Sequence, residues 1–197
     1  MVLFDNLAEA STLTDVPVPV ASYRWEAIAF STQGEALTLS TVTLFIDHAG
    51  FETSPFNLAL YADAPGPFPD YNSPGTRLAE LYSGDAASAG IPEWPTPGAG
   101  HPNVVFGNLN QPLAANTTYW LVAESLGNAF GWYYPTSPSP NEGTGLSIGE
   151  ASSSDLGANW SAGPGTQRAK IEAVVPEPAS AGLLLGTGAL LALRRRR

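Results

Sequence analysis

Residues 168–175 read Arg168-Ala169-Lys170-Ile171-Glu172-Ala173-Val174-Val175. Ala169, Ile171, Ala173 and Val175 alternate with Arg168, Lys170, Glu172 and Val174, so one series is apolar and the other largely polar. Successive side chains of a β-strand leave on opposite faces, and this period of two predicts a strand with one face buried. Phe56, Leu58 and Leu60 repeat the pattern, as do Tyr119, Leu121 and Ala123. Between Leu37 and Ile46 the apolar series moves from odd positions (Leu37, Leu39) to even ones (Val42, Leu44, Ile46). One extra residue restores such a phase, which predicts a bulge or a change of sheet near Ser40 and Thr41. Further strands are expected at residues 2–7, 23–31, 78–82, 104–109, 130–134 and 145–149, separated by clusters of turn-forming residues. No stretch before Pro176 sustains a 3.6-residue apolar period, and no internal repeat is visible. The expected fold class is all-β: about ten strands in two antiparallel sheets, a jelly-roll-like β-sandwich. Residues 62–76 and 84–102, rich in proline, glycine and small side chains, are expected to be long loops, and loops of that length are where binding concentrates.

The chain has 197 residues, enough for one sandwich domain over residues 1–175 and a tail over 176–197. Its 18 acidic and 8 basic residues give a net charge of −10. Four of the basic residues form the terminal run Arg194, Arg195, Arg196 and Arg197, so everything upstream is strongly acidic. Such a body repels phosphate, and nucleic acid is excluded as a partner. With no cysteine there is no disulfide framework, zinc ribbon, iron–sulfur site or thiol nucleophile, and two histidines are too few for a histidine-rich metal centre. No cofactor and no metal is expected.

In the tail, Pro176 and Pro178 break any regular element and leave a short extended spacer around Glu177. Residues 179–193, from Ala179 through Leu183 and Leu190 to Leu193, carry no charge. As a helix they reach roughly 22 Å, short of the ~30 Å hydrocarbon slab, a gap that snorkelling arginines and the polar flank close in part, so the span is marginal. A basic run after an apolar helix stays on the cytoplasmic side, so the expected topology is body outside and tail inside, with the membrane as a transient partner. Gly182 and Gly186 form a GxxxG pair that could pack helix against helix. The opening residues MVLFDNLAEA have neither a basic start nor an apolar run, which leads us to expect a signal peptide upstream of Met1.

Proline-glutamate-proline, an apolar helix and a terminal arginine cluster, in that order, resemble a PEP-CTERM sorting signal; the same segment is sometimes labelled an ice-binding protein C-terminal domain. The resemblance implies that a membrane-embedded exosortase recognises Pro176, Glu177 and Pro178, removes the tail and passes the body to the cell surface or exopolysaccharide. Ice binding itself would want ranked threonines, and Thr41 and Thr43 are a single instance. In the body, Trp25-Glu26-Ala27, Leu60-Tyr61-Ala62-Asp63, Pro74-Gly75 before Leu78-Ala79-Glu80-Leu81, Leu113 with the run Ala115 to Val122, and the later Trp132 and Trp160 resemble the choice-of-anchor R domain. That resemblance implies a bacterial surface sandwich and supplies no catalytic residue.

Residues that could carry chemistry are few. Gly145-Leu146-Ser147-Ile148-Gly149 matches the nucleophile elbow G-x-S-x-G, but His48 and His101 both precede it and the sequence after it is a poor helix start, so an alternating strand explains it better. Glu93 and Glu124 are candidate acid/base carboxylates, with no partner that sequence can place at a glycosidase separation. Asp63, Asp70 and Asn72 offer oxygen ligands for calcium at spacings that fit solvated turn residues better. Trp94, in the second long loop, is the candidate ligand-binding residue for a carbohydrate; Trp132, Tyr133 and Tyr134 alternate, so at least one of their faces is expected in the core, and Trp25, Trp120 and Trp160 are read as core. The expected function is that of an exported, non-catalytic surface or matrix protein, with a carbohydrate-binding module of the exopolysaccharide matrix as the alternative.

Overall fold

The computed structural model describes residues 1–7, 16–21, 24–48, 50, 53–66, 72–93, 103–127, 130–134, 149–162 and 167–176. In chain order its elements are β1 (Val2–Asp5), β2 (Val16–Val20), β3 (Trp25–Ser31), β4 (Leu37–His48), β5 (Pro55–Pro65), β6 (Asn72–Asp85), the single helical turn α1 (Ala86–Ala89), β7 (Asn103–Leu113), β8 (Thr118–Ser125), β9 (Phe130–Tyr134), β10 (Glu150–Ser153), β11 (Ser161–Ala162) and β12 (Ala169–Val174). All pairings between the strands are antiparallel. One sheet runs β1-β12-β4-β9-β2, with β7 also paired to β4; the other runs β11-β10-β3-β8-β5-β6.

The two sheets share one apolar core. Ile28 and Phe30 of β3, Phe56, Leu58 and Leu60 of β5, and Tyr119, Leu121 and Ala123 of β8 meet Leu39, Val42, Leu44 and Ile46 of β4 and Ala169, Ile171 and Ala173 of β12. Burying a side chain of this size contributes about 1.5–3 kcal/mol, which is why the period of two dictates which face turns inward. The phase change in β4 is a bulge: opposite β12, Thr41 pairs with Glu172 and Leu39 with Ala173, leaving Ser40 extra. Its hydroxyl donates to the Glu172 carbonyl at 3.0 Å. On the other edge, β7 shifts register at the same place, and Asn108 and Asn110 take positive φ values of 57° and 50° there. Leu37 and Leu39 thereby share the core with Val42, Leu44 and Ile46.

Some expectations need correcting. The expected loop at 62–76 is mostly strand: β5 runs on to Pro65 and β6 starts at Asn72, so the two form one long hairpin. The expected loop at 84–102 begins with the end of β6 and α1, whose first turn is capped by the Asp85 carboxylate accepting from the Ser88 N–H at 2.7 Å. At the strand expected over 145–149, residues 145–148 lie outside the described residues, Gly149 is not in a strand, and β10 follows from Glu150. β2, β10 and β11 were not expected at all.

A second apolar cluster covers the outer face of the β3 sheet. Ala27, Ala29, Ala59, Val122 and Ala151 form a floor of small side chains bordered by Trp25, Tyr61, Trp120 and Trp160, all buried. The turn over Trp25 carries Gly157 at φ 81°, where an added Cβ would sit 2.9 Å from the indole.

Candidate functional site

β12 lies between β1 and β4, and it delivers the chain from the sandwich core to the proline-rich segment. Ala173 is its last buried residue, held on one side by Leu39 of β4 and on the other by the Met1 carbonyl, which accepts the Ala173 N–H at 3.0 Å. Val174 pairs with Thr38, and Val174, Val175 and Pro176 are all exposed. Pro176 therefore stands two residues beyond the end of β12, already clear of the fold. Glu177, Pro178, Ala179, Leu183, Leu190, Leu193 and Arg194 to Arg197 lie outside the described residues, and the expected membrane helix with them. Among the described residues no helix is long and apolar enough to cross a membrane.

Tyr61, on the outer face of β5, meets Glu124 of β8. The Tyr61 hydroxyl donates to Glu124 Oε1 at 2.8 Å, and the Asn57 amide donates to Oε2 at 3.4 Å. Arg77 of β6 adds Nε to Oε1 and Nη2 to Oε2, both at 3.3 Å. Burial, reinforced by the adjacent Glu124 carboxylate, pushes the Tyr61 phenol well above its ordinary range. A carboxylate offers roughly four acceptor positions, and these four contacts tie β5, β6 and β8 together through Glu124. Sequence reasoning missed this network; its one visible signal was an arginine within a strand of otherwise neutral and acidic residues.

The other carboxylate cluster is inside. Glu26 of β3 is fully buried on the core side. The Arg24 guanidinium contacts its Oε1, and the Gln167 amide donates to Oε2 at 3.0 Å. Desolvation dominates and, aided by repulsion from Glu150, lifts the Glu26 carboxyl to about 7 despite the Arg24 and Gln167 contacts.

All four basic residues upstream of the terminal run are engaged. Besides Arg24 and Arg77, Lys170 is 3.0 Å from Glu172, and the Arg168 guanidinium lies 5.7 Å from the centre of the Phe45 ring. That arrangement offers no cluster of cations to an anionic ligand.

The structure separates the remaining sequence candidates. Trp94, Asp70 and His101 lie outside the described residues. His48 is buried at the end of β4, its N–H bonded to the Pro92 carbonyl at 2.9 Å. Glu93 bridges to His48 through the backbone and is far in sequence from the Glu124 network. Asp63 and Asn72 do come together, but as a hydrogen-bonded pair at 2.6 Å, and the second Asp63 oxygen accepts the Trp120 indole N–H at 2.8 Å. After Gly149 comes a strand, where a nucleophile elbow would run into a helix. Trp132 and Tyr133 point to opposite faces and are both buried: the Trp132 indole donates to the Arg168 carbonyl at 3.0 Å and the Tyr133 hydroxyl to Asp47 at 2.6 Å. Trp25, Trp120 and Trp160 are buried as expected, though on the outer face of the β3 sheet and not between the sheets. The side chain of Tyr134 is not described.

Against known families, the tail is decisive. Residues 174–197 match the PEP-CTERM protein-sorting motif. The match begins on Val174, the final residue of β12, so no linker separates the folded body from the signal. It supports exosortase-dependent sorting of an exported protein, with export to the cell envelope and processing by exosortase. No curated protein and no solved structure matches the chain.

Proposed function

We propose that this chain is a non-catalytic surface or extracellular-matrix protein whose sandwich, residues 1–175, is the cargo and whose tail, residues 176–197, is a temporary membrane anchor. The single observation that carries the reading is the sorting motif abutting the last strand of an all-β body. In this reading Ala179 to Leu193 spans the bilayer, Arg194 to Arg197 holds the cytoplasmic side, and exosortase cuts near Pro176, Glu177 and Pro178. The residues of the body that resemble the choice-of-anchor R domain support a surface role. The engaged basic residues and the Glu124 carboxylate that ties three strands support a structural body over a catalytic one.

Mass spectrometry of the mature C-terminus in the native host tests it. The expected result is a secreted or surface-bound species ending within the proline-rich spacer; an intact Arg197 in a soluble cytosolic species overturns it. Native gels of the mature body with the host's own polysaccharide separate a passive matrix component from a carbohydrate-binding one: a mobility shift lost in Trp94→Ala favours the latter.

A further inference from the structure

We propose that, before it is cut, the body stands end-on against the lipid headgroups, touching them with the end of the sandwich from which the tail leaves. This rests on the reading of the tail as a membrane anchor.

The spacing sets the limit. Between Val174, the end of β12, and Ala179, the start of the apolar run, lie Val175, Pro176, Glu177 and Pro178. Fully extended, that span covers at most about 17 Å. Headgroups and interface extend roughly 5–8 Å beyond the hydrocarbon on each side. β12 cannot pay out more chain cheaply, because it is hydrogen-bonded to β1 on one edge and β4 on the other and buries Ala169, Ile171 and Ala173. The exit end of the fold is thus held within reach of the membrane surface.

That end also has the right surface. Among the described residues seven large apolar side chains are exposed, and three of them, Met1 at 52%, Val174 at 49% and Val175 at 56%, gather where the tail departs. Met1 joins them because its carbonyl and amino group bond to Ala173. The same end carries the turns at 32–36 and 114–117, which are tied by Gly34 N–H to Asn116 at 3.1 Å and Thr32 N–H to the Thr117 carbonyl at 2.9 Å. Those two turns hold one carboxylate, Glu35. The β5–β6 hairpin reaches this end too and brings Asp63, so the contact rests on the short tether and the apolar side chains and not on charge. The exposed valines can settle into the interface.

The chain contains no cysteine, so single-cysteine labelling is clean. Ala114→Cys places a fluorophore at the exit end; Leu126→Cys places one just past the opposite end of β8. Eight strand residues separate those ends by about 25 Å. Full-length chains carrying either label are reconstituted into phosphatidylcholine/phosphatidylglycerol vesicles bearing a nitroxide on the headgroup. The expected result is several-fold stronger quenching at position 114 than at 126, with the difference reduced in a chain also carrying Val174→Ser and Val175→Ser. Equal quenching at both positions, or stronger quenching at 126, overturns the inference and leaves the anchor reading intact. A chain that does not enter the vesicles overturns both.

Discussion

Glu26 shares a face of β3 with Ile28 and Phe30, and folding takes it out of water almost completely. The folded protein keeps its proton up to about pH 7, whereas the unfolded chain releases it near 4.5. Between those values the folded state binds more protons, so stability falls as pH rises through that window and levels off above it. The shift corresponds to a loss on the order of 3 kcal/mol, before coupling to Glu150 is counted. Glu26→Gln keeps an acceptor for Arg24 and removes the charge, so urea unfolding is expected to show a flatter pH profile and a variant more stable than the parent at about pH 8. A parent profile that rises steadily from pH ~5 to ~8 would contradict the assignment. Gly157 is the second residue whose identity the fold demands. Its φ of 81° and the indole 2.9 Å from an added Cβ act together, and Gly157→Ala is expected to cost about 1–3 kcal/mol in thermal or denaturant unfolding.

At the scale of elements, Ser40 is the extra residue of the β4 bulge. Deleting it would leave Leu37, Leu39, Val42, Leu44 and Ile46 in strict alternation on one face, with the pairing of Thr41 to Glu172 and Leu39 to Ala173 running on without a break. The core face survives, and what is lost is the Ser40 hydroxyl bond and the fit to the matching irregularity in β7 between Gly107 and Gln111. We expect Ser40 deletion to keep a cooperative unfolding transition by circular dichroism at a cost of about 1–3 kcal/mol, whereas Ser40→Ala, which loses only the hydrogen bond to the Glu172 carbonyl, costs about 1 kcal/mol. The bulge was legible because it disturbs a regular series of apolar residues. β2 was not: Val-Pro-Val-Pro-Val lacks two N–H donors and reads as a spacer. It is tolerated because β2 ends its sheet and pairs with β9 alone. β10 and β11 are rich in serine and short, and pattern alone cannot distinguish such a strand from a turn. The outer cluster was hidden for a related reason, since alanines at 27, 29, 59 and 151 give a weak periodic signal, although the tryptophans around them were correctly read as buried. The polar network at Glu124 joins three strands, and its members are far apart in sequence, so no local spacing announces it.

For the molecule as a whole, the sorting signal was the readable part, because three features in fixed order within a short segment are specific without any tertiary information. The body's architecture was readable in class and its ligand was not, since binding depends on which side chains a fold gathers. The boundary between the two has an energetic consequence. The shared core takes its final contribution from Ala173, and nothing beyond it is buried among the described residues. Removing residues 177–197 should therefore leave the unfolding midpoint of the sandwich unchanged within about 0.5 kcal/mol, the range of surface changes. Shortening further, to end at Glu172, removes Ala173, its hydrogen bonds to Met1 and its pairing with Leu39 beside the bulge. That chain is expected to lose about 2 kcal/mol or more. Denaturant titration of the two truncations distinguishes them. Equal stability would mean that β12 ends earlier than Ala173 in solution; a loss already on removing 177–197 would mean that the tail packs on the body, and the division between cargo and signal at Val175 would have to move.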